Sequence, residues 1–538
     1  MPPHLRHRFA RAFATTALLA GVAFGTGAVA DVALTPFNLA VAEAAAAHET
    51  LAPVYRASGF EGVWAGSDDA ARDRRNAFLS ALRAAPMHGL PVARYDVDGL
   101  IAGLRAAETP QAQARMDVTL SATFLRYAAD IHSGMLDPGA TVGAIRREAP
   151  VLDGAATLAA FLEAGSPAAF LRDLAPDAPE YARLLRNRIA LEETIAAGGW
   201  GPALTGAALA PGASGDGVVA LRDRLIRMGY LDRSITRDYD AAIEAAVRAF
   251  QAAHGLAEDG VAGGATLTAI NVVPEARLER ILVALERERW LNVPRGDRHI
   301  WVNLTDFHAS IVDMDRVTFT TRSVIGALGS DRQTPEFSDE MTHMVINPSW
   351  YVPRSIVVGE YLPSMRANPN AAGQMQIIDS NGRVVPRSAI DFSRYSAATF
   401  PYGMRQPPSR SNALGLVKFM FPNQYNIYLH DTPAQSLFQT PVRAYSHGCV
   451  RLDDPYDFAY TLLAAQSDDP VGFFDSRLAS GNETRVNLDT PIPVHIVYRT
   501  AFTDVGGRMQ YRDDIYGRDA AIWSALRAAG VEIATPRG

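Results

Sequence analysis

The spacing of hydrophobic positions changes along the chain, and the changes divide it into regions. Residues 31–205 are rich in Ala and Leu at helical spacing, as in the run 120–131, which a loop at 133–138 follows. Gly, Ala and Pro crowd the stretch 198–217, which reads as a linker. Beyond it Val218, Leu221, Leu225 and Met228 fall on one helical face, and Ile243, Val247 and Phe250 on another. Asp259-Gly260 then signals a turn before a third short helix at about 265–270. From His299 onward the texture becomes β-like, with the runs 300–304 and 317–321. The stretch 350–411 interrupts that texture with seven prolines, from Pro353 to Pro408, and is too long for an ordinary connection, so it is expected to be a lid. The run 492–498 reads as a late strand, with His495 structural within it. The fold class is therefore α+β and multidomain. The predicted boundaries are a helical region at 31–205, a three-helix module at 212–272, a mainly-β domain at 295–475 and a C-terminal segment at 476–538 packing on the β domain.

Composition narrows the function. A balance of 48% hydrophobic and 20% charged residues over 538 positions suits several globular domains. The net charge of -7, from 51 basic and 58 acidic residues, argues against a general nucleic-acid binder. Arg6, Arg8 and Arg11 precede an apolar stretch at 13–29 that ends in Ala28-Val29-Ala30, the pattern of a cleaved export signal at 1–30. An uncleaved amino-terminal anchor is the alternative, weakened by Gly21, Gly25 and Gly27.

Export makes the cysteine count informative, because Cys449 is the sole cysteine and forms no internal disulfide. An inert buried thiol is the plain reading. Its neighbours, Tyr445-Ser446-His447-Gly448-Cys449-Val450-Arg451, with His430 upstream in Tyr428-Leu429-His430-Asp431-Thr432-Pro433, favour a reactive one. A thiol attacks acyl carbon only as thiolate, and an imidazole within reach supplies the activation. The run 426–429 reads as a strand holding His430, and Gly448 permits a tight turn whose backbone N–H groups are natural oxyanion donors. Asp453-Asp454-Pro455 looks like a capped helix start, which would place Cys449 on a strand-to-helix elbow. One cysteine with two histidines offers no metal-site spacing, so no metal or cofactor is expected.

These residues resemble the L,D-transpeptidase catalytic domain: a His, about fifteen residues, then Ser/Thr-His-Gly-Cys, any residue, and Arg or Asn. His430, Ser446, His447, Gly448, Cys449 and Arg451 match it, and residues 431–445 give the spacing. The resemblance implies Cys449 as nucleophile and His430 as base. It assigns His447 and Gly448 to the catalytic loop or oxyanion region, and Arg451 and Ser446 to substrate binding. A structural role stays open for His447 and an ion-pair role for Arg451. Asp431 would face away from His430, leaving a backbone carbonyl to orient the imidazole. The stretch 247–260 resembles a small peptidoglycan-binding module, and 31–205 is similar to the helical scaffold of large Gram-negative members, in which an insertion like 350–411 caps the site. The implied setting is the periplasm. The implied partners are peptidoglycan stem peptides, as donor tetrapeptide and amine acceptor, together with other cell-wall synthesis proteins. Transfer making 3-3 cross-links and hydrolysis by the same residues both fit.

Overall fold

The computed structural model describes residues 35–329 and 331–533, and the export signal expected at 1–30 lies outside them. Helices of the amino-terminal region begin where the sequence supplies an acceptor. Thr35, Asp68, Thr109, Asp153 and Ser166 each accept a first-turn backbone N–H that has no partner within the helix. The long helix Pro110–Ser133 buries Leu120, Phe124, Tyr127 and Ile131 in a core shared with Trp64, Phe78 and Phe161. Asp117 is buried on the same helix. Its carboxylate accepts from the Tyr55 hydroxyl and the N–H groups of Val63, Trp64 and Ala65, so it is buried with partners rather than alone.

The module consists of helices Asp216–Arg227, Ala241–Ala253 and Gly264–Ile270 around Val218, Leu221, Leu225, Ile243, Val247 and Phe250. Gln251 pins its turn: the side-chain nitrogen lies within hydrogen-bonding distance of Asp259, Val261 and Thr266, and the oxygen accepts from Gly260 N–H. Next comes the helix Pro274–Trp290, which buries not only Leu278, Ile281 and Leu285 but also Glu286, Arg287, Glu288 and Arg289.

The β domain is one sheet of nine strands. Their order is Ala444–Ser446, Arg316–Gly326, Val450–Leu452, Leu429–His430, Val417–Met420, Phe337–Ile346, Thr484–Val497, Arg298–Asn303 and His308–Asp313. Pairing of His308–Asp313 with Arg316–Gly326 closes all but Ala444–Ser446 into a ring around an apolar core.

Two expectations about the end of the chain need correction. Thr484–Val497 sits inside the sheet between Phe337–Ile346 and Arg298–Asn303, so the boundary expected at 475 falls before a central strand and within the helix Pro470–Ala479. The C-terminal segment does not pack on the β domain alone. The hairpin of Ala501–Thr503 and Met509–Tyr511 and the helix Arg518–Ala528 bury Ala501, Tyr511, Ile522 and Leu526 with Leu184 and Ile281, in the core where helices Pro179–Ala196 and Pro274–Trp290 meet.

The stretch 350–411 is more than a loop. Strands Trp350–Tyr351, Gly403–Gln406, Gln376–Ile378 and Val384–Val385 form a small sheet in that order, over a separate core that includes Leu362, Met365, Ile377 and Phe400.

Candidate active site

Strand Leu429–His430 runs between two neighbours. His430 stands opposite Lys418 on the antiparallel side and opposite Arg451 on the parallel side. Paired residues share a face, so His430, Arg451 and Lys418 point the same way. The Tyr428 ring centre lies 5.6 Å from that of His430, and Tyr428, Arg451 and Lys418 all act on the Cys449 sulfur. The Cys449 side chain is half-buried, with Sγ 3.5 Å from the Asn426 carbonyl oxygen.

The local path differs from the elbow read from sequence. Cys449 lies in a turn between strands Ala444–Ser446 and Val450–Leu452, and the helix starts only at Pro455. Asp454 precedes that helix without capping it, since its carboxylate accepts from the Thr321 hydroxyl instead. Asn426 adopts a left-handed φ of 56°, which shortens the expected strand to Leu429–His430.

The turn itself is tightly bonded. Gly448 has φ of 113°, where a Cβ would stand 3.1 Å from Ile427 Cδ1. Its N–H donates to Ser446 Oγ at 3.0 Å, and its carbonyl accepts from Thr334 Oγ1 at 2.7 Å. Ser446 is 2% exposed and its hydroxyl donates to the Cys449 carbonyl at 2.5 Å. One expectation is thereby corrected. Ser446 braces the turn from within rather than facing a substrate, and it does so by holding the Gly448 N–H. His447 also turns elsewhere, placing Nε2 2.7 Å from Glu360 Oε1 in the inserted subdomain, and Glu360 accepts from Arg332 as well.

His430 is 4% exposed and its Nδ1 donates to the Asp431 carbonyl at 2.5 Å. That bond selects the tautomer in which Nε2 carries a lone pair. The Asp431 carboxylate points away and accepts from the N–H groups of Leu416 and Thr432. Burial first, then Arg451, lowers the His430 pKa from 6.5 to about 3. Burial likewise pushes the Cys449 thiol up to about 11, against the stabilising influence of Tyr428, Arg451 and Lys418 on a thiolate. At neutral pH the thiol and the imidazole are therefore both uncharged. Burial also lowers the pKa of Arg451, whose Nε has no partner, and that of Lys418. Among the described residues no cluster of three or more His, Cys, Asp or Glu is arranged to hold a metal ion.

Sequence reasoning passed over Tyr428, Lys418 and Thr334. Tyr428 carried a signal, its position two residues before His430 on an alternating strand. Lys418 and Thr334 reach the site only through pairing across the sheet and through the buried bond to the turn.

Known proteins share sequence with the region that holds this site. Residues 297–487 match the family model for the L,D-transpeptidase catalytic domain. That stretch of the chain is similar to L,D-transpeptidase catalytic domains. Ahead of it, residues 49–187 match a scaffold domain and residues 214–270 a "Putative peptidoglycan binding domain". A Haemophilus influenzae protein named "Putative L,D-transpeptidase" is 32% identical over 246 residues, which span 45% of this chain and 48% of that relative. The match thus covers about half the relative's length. An L,D-transpeptidase structure from Xylanimonas cellulosilytica is 18% identical, covering 55% of this chain and 98% of that one, with a TM-score of 0.18. A fused Zn-dependent amidase/peptidase/peptidoglycan-binding domain-containing protein of Clostridium acetobutylicum is 12% identical, covering 55% and 100%, with a TM-score of 0.16. The β domain sets His430 beside Arg451 across paired strands, with Cys449 in the turn just ahead, and the subdomain 350–411 reaches His447 through Glu360.

Proposed function

We propose that the protein is a periplasmic L,D-transpeptidase that makes 3-3 cross-links in peptidoglycan through a thioester on Cys449. The observation that carries this reading is the buried, neutral His430: its Nδ1 is held by the Asp431 carbonyl, so Nε2 is the basic nitrogen in the site that also holds the lone cysteine.

In the first step Cys449 sulfur bonds to the carbonyl carbon between the third residue of a tetrapeptide stem, a diamino acid, and its terminal D-alanine, while the thiol proton passes to His430. The C–N bond breaks and the proton leaves with D-alanine. In the second step the side-chain amine of a neighbouring stem attacks the thioester, the C–S bond breaks, and His430 conveys the amine proton back to sulfur. Tyr428 and Lys418 favour negative charge on the sulfur. Arg451, half-buried with an unpartnered Nε, suits a stem carboxylate. The subdomain 350–411 excludes water, which favours the amine over hydrolysis. No metal or organic cofactor enters these steps.

Incubation with a purified tetrapeptide muropeptide, followed by mass analysis, separates the outcomes. Cross-linked dimer with released D-alanine is expected, whereas tripeptide alone means that water is the acceptor and the protein is a hydrolase. Cys449→Ala should abolish both products while leaving the thermal unfolding temperature within a few degrees of the parent; cross-linking by that variant would falsify the assignment.

A further inference from the structure

Away from Cys449, a cavity of about 220 Å³ opens where four separate parts of the chain meet: the helix Pro179–Ala196 with the following Trp200, the three-helix module, the helix Pro274–Trp290 and the C-terminal hairpin. Its lining includes Arg277, 3% exposed. Other buried cations on the same helix meet carboxylates: Arg287 pairs with Glu336 and Asp519, and Arg289 with Glu286. Arg277 donates instead to the Ala269 carbonyl, its Nε has no partner, and it lies 4.4 Å above the Tyr511 ring. Burial lowers its pKa to about 10, with the acidic Asp513 only a minor opposing influence. A buried guanidinium with unused donors is costly unless an anion completes it.

The rest of the lining suits such an anion. Arg227 and Arg508 are exposed beside the cavity, and Arg508 sits 5.3 Å from the centre of the Tyr230 ring. Nearby Asp504 is occupied by Gln510 Nε2 and the Arg508 N–H. His254 stacks on Tyr511 at 5.5 Å and is held neutral by burial, so it adds an aromatic face and no charge. Trp200 and Tyr230 add further aromatic surface. Three cations among aromatic planes match a compact body that carries a carboxylate and offers C–H surface for stacking.

We propose that this cavity is a second substrate-recognition site, which takes a carboxylate-bearing muropeptide through Arg277 and Arg508 and holds the wall strand while Cys449 works elsewhere. The choice of a wall fragment rests on the function proposed above; the anion site rests on the cavity's own residues.

The test is isothermal titration of the full chain and of its Arg508→Ala and Arg277→Met variants with disaccharide tetrapeptide, free tetrapeptide and the neutral N-acetylglucosamine dimer. Any contribution from the Cys449 site is common to all three proteins. Arg508→Ala, at an exposed position, covers the case in which Arg277→Met fails to fold. The expected result is a binding event, beyond any at the Cys449 site, that is weakened at least tenfold in each folded variant, with the neutral dimer binding at least tenfold more weakly than the tetrapeptide ligands to the parent. Free tetrapeptide binding as tightly as the disaccharide form places recognition on the peptide; a tighter disaccharide form adds the sugar to the stacking surface, and both support the site. Superimposable titrations for parent and Arg508→Ala, or equal affinity for the neutral dimer, overturn it. Cys449 acylation by a β-lactam, followed in parallel by intact mass, reports separately on the catalytic reading.

Discussion

The β ring and the helix Pro274–Trp290 are both buried, yet they are held by opposite means. Inside the ring Ile300, Met344, Phe419, Leu429, Val450 and Phe458 form one apolar cluster. The helix ends in Glu286-Arg287-Glu288-Arg289, where Arg287 bridges Glu336 and Asp519, Arg289 pairs with Glu286, and Glu288 meets Arg295 and Arg499. Apolar contact is non-directional, so the ring is stable against small changes of shape. Ion pairs buried at such cost add little net stability but are particular about partners, which makes this helix the element that orients the scaffold, β domain and C-terminal segment. It also reaches the site: Arg518 bonds both Glu336 and the Thr334 carbonyl, and the Thr334 hydroxyl holds Gly448.

The sharpest way to break this contrast is Arg287→Met, which leaves Asp519 without its guanidinium; a loss of about 3–5 kcal/mol in urea unfolding is expected. A cost under about 1 kcal/mol would show that apolar packing serves equally well there. Next comes a pair of conservative changes. Arg289→Lys should cost about 1.5–3 kcal/mol, because an ammonium cannot reproduce the bonds to Glu286 and Tyr181, while Leu429→Met in the ring should cost under about 1.5 kcal/mol. The reverse order would dissolve the distinction.

Within the β domain, pH adds a smaller effect. His430 and His495 have pKa values lowered from 6.5 to about 3 and about 4, chiefly by burial. Between those values and 6.5 the unfolded chain binds protons that the fold refuses, so stability is present above about 6.5 and lost as pH falls toward 3. Thermal melts at stepped pH should show His495→Gln losing less than the parent over that window. The smallest stability effect is expected for Glu360→Gln, a half-exposed partner of His447 and Arg332: under about 1 kcal/mol in unfolding. Cys449 acylation by a β-lactam is its more sensitive readout, and an unchanged rate would deny Glu360 any part in holding the subdomain over the turn.

Much of the architecture was legible. The helical spacing of Val218, Leu221, Leu225, Ile243, Val247 and Phe250 marks the module core, and Asp431 faces away from His430 because neighbours on a strand diverge. What escaped depends on distant partners. Thr484–Val497 is a central strand because Phe337–Ile346 and Arg298–Asn303 lie on either side of it, which its own pattern of charged and apolar residues conceals. The resemblance implied substrate binding for Ser446, but its hydroxyl closes the turn onto Cys449.

By itself the sequence determined what local chemistry controls: helix starts, the change of period, the His430 and Cys449 spacing, and the left-handed position that only Gly448 fills without strain. Tertiary structure alone decided the rest. Strand pairing put Lys418 and Arg451 on either side of His430, burial made the imidazole and thiol neutral together, and the inserted subdomain drew His447 toward Glu360. The physical reason is range: backbone preference acts over a few residues, whereas desolvation and charge are set by whatever the fold brings within a few ångströms.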